Sequence, residues 1–203
     1  MIIIGITGSI GTGKTTVSNM LKILRIPIFD SDKMVKEILD RNQHVINKIS
    51  KIWPDAISTN QTRMKIDKQV LSNEIFKNKK ERKKLENIIH PLVEKERKIF
   101  LQNSGNFGIV GLDVPLLYET GIDKKCDFVL LMHTSKKIQK ERVLSRPNMT
   151  EDKFQLIKNA QWSFERKRKE KPFMINTSFG KTITFILVLF YLLKIKFRVK
   201  YSG

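Results

Sequence analysis

An apolar, β-branched run, Ile2-Ile3-Ile4-Gly5-Ile6-Thr7, leads without a break into Gly8-Ser9-Ile10-Gly11-Thr12-Gly13-Lys14-Thr15. Apolar side chains then recur at Val17, Met20, Leu21 and Leu24. The first run reads as a buried parallel strand, the last as a helix, and the glycine-rich stretch as the turn between them. Few architectures accept that order. Gly8 and Gly13 bracket a turn whose successive backbone N–H groups can point inward, and the helix that follows adds the positive end of its dipole. The result is a cradle for a polyphosphate such as that of ATP. Gly11 allows further close backbone approach. Lys14 is expected to reach the β- and γ-phosphates, and the Thr15 hydroxyl to ligate Mg²⁺. By composition alone the bare pattern arises in roughly one unrelated chain in a hundred of this length. The strand before it and the helix after it remove most of that ambiguity.

Further along, Pro27-Ile28-Phe29 reads as a short second strand ending at Asp30-Ser31-Asp32. Residues 33–100 read mostly as helix, with Ile46, Ile49 and Ile52, then Val70, Leu71, Ile75 and Phe76, at helical spacing. One helix is expected from Lys79 to about Ile89, stopped by Pro91, and another from Leu92 to Leu101. Strands are expected at 107–114, 128–132 and 173–176. A helix is expected over Ile138–Leu144, with Arg142 and Arg146 on one face, and a charged helix over Met149–Arg168. Strands alternating with helices behind a Gly-rich loop give an α/β fold with a parallel sheet.

In such a sheet ligands sit beyond the carboxyl ends of the strands, where Asp30, Asp32 and Asp113 fall. A carboxylate there can take the proton of an attacking hydroxyl, and Asp32 is the preferred base; the competing role for either residue is a helix N-cap. Asp113 reads as a metal-orienting carboxylate or as a strand-end turn residue. Arg142 and Arg146 read as neutralisers of a transferring phosphoryl group or as a solvated helix face.

The 203 residues suffice for one α/β domain with an inserted part. Cys126 is the only cysteine, so an internal disulfide is excluded. Met1–Gly8 lacks a basic leader and a cleavage site, so a cytoplasmic location is the default expectation. The net charge of +19, from 39 Lys and Arg against 20 Asp and Glu, has three readings: a nucleic-acid surface, a positive cleft for a small polyanion, or a genome-wide bias toward lysine, isoleucine and asparagine. The basic residues are spread out and aromatics do not interleave with them, which argues against specific nucleic-acid binding.

In order along the chain, the motifs resemble the dephospho-CoA kinase family. Thr7-Gly8-Ser9-Ile10-Gly11-Thr12-Gly13-Lys14-Thr15-Thr16-Val17 is similar to its opening, and Asp30-Ser31-Asp32 to its Asp-x-Asp. His90-Pro91, Pro115-Leu116-Leu117-Tyr118-Glu119, the series Gln139, Arg142, Arg146, then Gln161 before Glu165-Arg166-Lys167-Arg168, and Ile175-Asn176-Thr177-Ser178-Phe179-Gly180 follow over residues 2–180. The resemblance implies a three-layer P-loop NTPase fold. Its nucleotide-binding core would be 1–32, 101–137 and 171–203, its helical acceptor-binding insertion 33–100, and its helical lid 138–170. It implies transfer of a phosphoryl group from ATP to the ribose 3′-hydroxyl of dephospho-CoA. Lys14, Asp32 and Arg142 would be catalytic. Gly11, Thr12, Gly13, Lys14, Thr15 and Thr16 would bind the nucleotide, and Thr15 and Asp113 would hold Mg²⁺. Thr7, Asp32, His90, Pro91, Leu116, Glu119 and Gln161 would serve the acceptor. A monomer or weak oligomer without a membrane or specific nucleic-acid partner is expected. The alternatives are another P-loop nucleoside or nucleotide kinase, a nucleic-acid binder containing a nucleotide switch, and an inactive relative.

Three departures stand out. Arg25 holds a position the family usually gives to glycine, Lys171-Pro172 replaces Ala-Asp, and the stretch from Thr182 to Leu193 is uncharged and apolar nearly all round. That stretch is too short to span a bilayer, which needs about 20 apolar residues. It reads as a helix buried against the sheet or as an altered terminus.

Overall fold

The computed structural model describes residues 1–60 and 63–201. They form two compact units, Met1–Asp30 with Ser104–Gly203, and Ser31–Asn103.

The first unit is built on a five-stranded parallel sheet. Its strands are β1 (Ile2–Gly8), β2 (Ile28–Asp30), β5 (Ile109–Asp113), β6 (Phe128–His133) and β7 (Phe173–Asn176), in the spatial order β2-β5-β1-β6-β7. β1 lies at the centre, with Ile4 opposite Gly111 on one side and Phe128 on the other. All five residues of β5 are buried, as continuous apolar runs covered on both faces should be. The helix α1 (Lys14–Ile23) packs Val17, Met20 and Leu21 against Ile4, Ile6 and Leu130 in one cluster.

That cluster also takes Val188, Leu192 and Ile195 from α9 (Gly180–Tyr201), so the apolar terminal stretch is a packed helix, but only along one face. Its outer face leaves Ile186, Phe190, Leu193 and Phe197 exposed. Among the described residues no helix is long and apolar enough to cross a membrane.

α1 ends as a Schellman turn: Ile26 N–H donates to Leu21 O at 3.0 Å and Arg25 N–H to Lys22 O at 2.9 Å. The geometry puts Arg25 at φ 59°, which explains why glycine suits this position. Lys171, the second departure, is likewise left-handed, at φ 53° after α8 (Phe164–Lys169).

Two expectations fail in the segment between β6 and β7. The helix α6 (Lys136–Leu144) stops before Arg146, so Arg142 and Arg146 do not share a helical face. Arg146 precedes Pro147, and a residue before proline is pushed out of the α region. The single helix expected over Met149–Arg168 is two, α7 (Glu151–Asn159) and α8. The Ser163 hydroxyl caps a fresh start by accepting from Arg166 N–H at 3.2 Å.

The second unit holds α2 (Ser31–Arg41), α3 (Gln43–Ile52), a hairpin of β3 (Ile57–Asn60) and β4 (Arg63–Ile66), α4 (Lys68–Lys77) and α5 (Lys79–Asn103). Asn42 caps α3 and Asp67 caps α4 through side-chain oxygens. Its buried residues include Ile38, Val45, Ile46, Ile49, Trp53, Ile66, Leu71, Ile89 and Val93. Two further expectations fail here. The antiparallel pair β3–β4 interrupts what reads as helix; residues 61 and 62 lie outside the described set. α5 also runs through Pro91 as one helix. Proline removes one hydrogen bond, but Ile89, Val93 and Arg97 form a single buried stripe on both sides of it. Packing of that stripe outweighs the lost bond.

Candidate phosphate-binding site

β1 ends at Gly8 and α1 begins at Lys14, leaving five residues to turn the chain. Two are left-handed, Gly11 at φ 78° and Gly13 at φ 89°. Both also lack room for a side chain. A Cβ on Gly13 would lie 3.1 Å from Thr177 Cγ2, and one on Gly11 would lie 2.5 Å from Val143 Cγ2 and 2.9 Å from Gln139 O. The close approach that Gly11 permits is therefore to α6. Inside the turn, Thr12 donates from its N–H and its hydroxyl to Ser9 O, at 3.2 and 2.7 Å.

Gly13 is the N-cap of α1 and supplies no side-chain cap. The first-turn N–H groups of a helix have no partner within the helix. Those of Lys14, Thr15 and Thr16 thus have no partner within α1, the arrangement that suits a helix start to an anion. Thr15 is exposed there and Thr16 half-buried.

Lys14 reaches the neighbouring strand, where its ammonium pairs with Asp113 Oδ1. Ser18, one helical turn after Lys14, donates its hydroxyl to Asp113 Oδ2 at 2.6 Å. Asp113 is 2% exposed and closes β5, opposite Asp30 at the end of β2. Strand register thus fixes the carboxylate, and the carboxylate fixes the lysine beside the loop.

Arg142 on α6 donates to Thr177 Oγ1 at 3.0 Å and to Thr177 O at 2.9 Å. The Thr177 hydroxyl in turn donates to Thr12 O at 2.9 Å. Arg142 is thereby linked to the loop through one buried threonine. Gln161 accepts from Ile10 N–H through Oε1 at 3.1 Å.

Glu119 lies in the same unit. Its Oε1 accepts from Trp162 N–H at 2.6 Å and lies 3.1 Å from the fully buried ammonium of Lys167. Burial holds the Lys167 pKa below the usual lysine range, and Glu119 opposes that shift. Burial also pushes the Tyr118 hydroxyl up and the His133 imidazole down. Thr7 is fully buried and donates to Pro115 O at 3.2 Å, tying β1 to the turn that carries half-buried Leu116. Arg146 is exposed beyond α6.

Asp32, His90 and Pro91 belong to the second unit. Asp32 is exposed in the first turn of α2, where a carboxylate favours the helix dipole. His90 and Pro91 are exposed side by side midway along α5.

The structure adds residues to which sequence reasoning gave no role: Ser18, Gln139, Thr177 and Lys167. Ser18 lies four residues after Lys14, a spacing that puts both on one helix face. Thr177 lies inside the recognised run Ile175–Gly180, but nothing in that run marks it as the partner of Arg142. Lys167 lies in the run Glu165–Arg168 that carries part of the family resemblance, but nothing in that run marks it for burial.

The sequence model of the CoaE family, dephospho-CoA kinase, matches residues 2–181. A dephospho-CoA kinase of Zymomonas mobilis is 35% identical over 175 residues, covering 86% of this chain and 87% of that protein. One of Rhizobium etli is 33% identical over 201 residues, 98% of this chain and 96% of its own, a match that takes in most of the terminal helix. Among solved structures, TT1252 from Thermus thermophilus aligns with a TM-score of 0.80 at 26% identity, over 95% of this chain and 96% of that one. The dephospho-CoA kinase from Campylobacter jejuni aligns at 0.68 over the same shares, and at 23% identity it speaks for the fold. The parallel sheet, the Gly-rich turn running into α1 and these matches have one common answer: the chain belongs to the dephospho-CoA kinase family.

Proposed function

We propose that this protein transfers the terminal phosphoryl group of ATP to the ribose 3′-hydroxyl of dephospho-CoA, yielding coenzyme A and ADP. The observation that carries the reading is the loop from Gly8 to Lys14, with its two left-handed glycines, uncapped first-turn amides and a lysine fixed by Asp113, in a chain of this family.

The amides of Gly11, Gly13, Lys14, Thr15 and Thr16 would bind the β- and γ-phosphates, joined by that of Thr12 once its N–H leaves Ser9 O. Lys14 would offset charge on the transferring group, with Arg142 as a second cation once it exchanges Thr177 for phosphate oxygen. The acceptor hydroxyl would give its proton to the Asp32 carboxylate as its oxygen bonds to phosphorus. The bond from phosphorus to the bridging oxygen would break, and that oxygen would leave on ADP.

The residues present fit Mg²⁺. The exposed Thr15 hydroxyl and the Asp113 carboxylate are hard oxygen donors, and each Asp113 oxygen keeps a lone pair beyond its bond to Lys14 or Ser18. When bound, the ion supplies Lewis-acid neutralisation of phosphate charge. Thr7, His90, Pro91, Leu116 and Glu119 would serve the acceptor, His90 and Pro91 from the insertion and Glu119 by fixing the segment that carries Trp162. Residues 138–170 would exclude water over the nucleotide and prevent ATP hydrolysis.

The test is ADP release measured with dephospho-CoA, adenosine, nucleoside monophosphates and no acceptor in parallel. Turnover is expected with dephospho-CoA above all others. Preference for a nucleoside or nucleoside monophosphate would transfer the protein to another P-loop kinase specificity.

A further inference from the structure

The tip of the phosphate loop is held by two glutamines that approach Ile10 from different elements. Gln139 Nε2 donates to Ile10 O at 2.7 Å, and Gln161 Oε1 accepts from Ile10 N–H at 3.1 Å. The partners fix both amide orientations, since the carbonyl requires a donor and the N–H an acceptor. The peptide groups on either side of Ile10 are thereby fixed immediately before Gly11, where the anion-binding amides begin.

The two glutamines are anchored differently. Gln139 is 9% exposed on α6, and α6 is packed directly on the loop through Val143 and Gly11. Gln161 lies in the short link between α7 and α8. Its position depends on the next residue. Trp162 donates its N–H to Glu119, and Glu119 is paired with buried Lys167 on α8. The Trp162 ring is stacked with Tyr118 at 6.0 Å between centroids and covered by the Arg166 guanidinium at 3.5 Å. Displacing the α7–α8 link would therefore take Gln161 away from Ile10, whereas Gln139 would stay with the loop.

We propose that Gln139 and Gln161 are positioning residues for the phosphate loop, and that the Gln161 bond makes the ATP-binding shape of the loop depend on the seating of the α7–α8 segment. This rests on the functional reading above only for its ligand, ATP. It departs from the expectation that Gln161 contacts the acceptor.

The experiment uses the full chain with Gln161→Ala, Gln161→Glu and Gln139→Leu. Three readouts are taken: amide hydrogen exchange of the peptide covering the loop, ATP affinity by calorimetry without acceptor, and KM for each substrate. Gln161→Ala should speed exchange at Ile10 and weaken ATP about tenfold, the size of one lost hydrogen bond with its donor left unpaired, while KM for dephospho-CoA stays within about twofold. Gln161→Glu retains an acceptor and should restore the exchange protection. Gln139→Leu should weaken ATP to a similar degree. A raised KM for dephospho-CoA with unchanged ATP affinity would overturn the proposal and return Gln161 to the acceptor site. Unchanged loop exchange in Gln161→Ala, or no restoration by Gln161→Glu, would overturn it equally. Exchange is read without any ligand, so a wild-type protein that failed to bind ATP would refute the functional reading and leave the loop measurement standing.

Discussion

Replacing Glu119 with glutamine removes the only charge partner described for a fully buried lysine while keeping an oxygen for the Trp162 N–H. Lys167 is 0% exposed, and its ammonium lies 3.1 Å from Glu119 Oε1. Losing one member of such a pair costs about 3–5 kcal/mol, because the remaining charge is buried without compensation. The lysine has an escape, which is to fold as the neutral amine. From the ordinary value of 10.5, deprotonation at pH 7 costs at most about 4.8 kcal/mol at 1.36 kcal/mol per unit, so this caps the penalty. The cap falls to about 1.4 kcal/mol at pH 9.5. The sign follows from linkage. The folded pKa of Lys167 is already lowered by burial, and loss of Glu119 lowers it further. Between the folded and unfolded values the unfolded chain holds the extra proton, so stability rises with pH. Thermal unfolding of wild type and Glu119→Gln should thus differ by about 6–19 °C at pH 7 and by no more than about 5 °C at pH 9.5. Glu119→Gln combined with Lys167→Met should recover most of the loss at pH 7. A deficit that is the same at both pH values, or no recovery in the double variant, would refute the assignment of Lys167 as a buried cation held by Glu119.

Three other outcomes follow from the site and its supports. Asp32→Asn should lower kcat by about 10²–10⁴-fold with ATP affinity nearly unchanged, measured by steady-state kinetics and calorimetry; equal losses in both would assign Asp32 to structure or metal binding. Arg25→Gly should stabilise the protein by about 0.5–1 kcal/mol, as relief of left-handed strain exceeds the added freedom of the unfolded chain, and denaturant midpoints with an unchanged slope would read it. Burial lowers the His133 pKa, so the unfolded state takes up a proton first on acidification. His133→Phe should therefore lose less stability than wild type between pH 7 and pH 5.5, and parallel losses would remove His133 from the account.

The Gly-rich turn between β1 and α1 was legible because its signals are local. Strand, glycines, lysine and helix start within 24 residues of one another, and nothing distant is needed to infer the turn they form. β5 and β7 were legible from apolar runs for the same reason. What sequence reading missed depended on competition between local signals or on distant partners. Pro91 is a helix breaker that the packing of Ile89, Val93 and Arg97 overrides. Arg146 has helical spacing from Arg142, but Pro147 directly after it favours an end to the helix, and α6 stops at Leu144. Ser163 restarts a helix inside a charged stretch whose composition is helical throughout. Thr177 meets Arg142 and Thr12 across 35 and 165 residues of sequence, and no local pattern encodes that meeting. Lys167 is one basic residue in a run of four, and only the fold selects it for burial.

The most direct test follows the label from γ-³²P-ATP into dephospho-CoA, with wild type and Lys14→Ala compared at matched folding by circular dichroism. The account predicts magnesium-dependent labelling of the ribose 3′ position by wild type, with kcat/KM reduced by about 10²-fold or more in Lys14→Ala, in line with loss of a charge-stabilising group. Transfer by Lys14→Ala at the wild-type rate, or no transfer to dephospho-CoA by wild type, would contradict it.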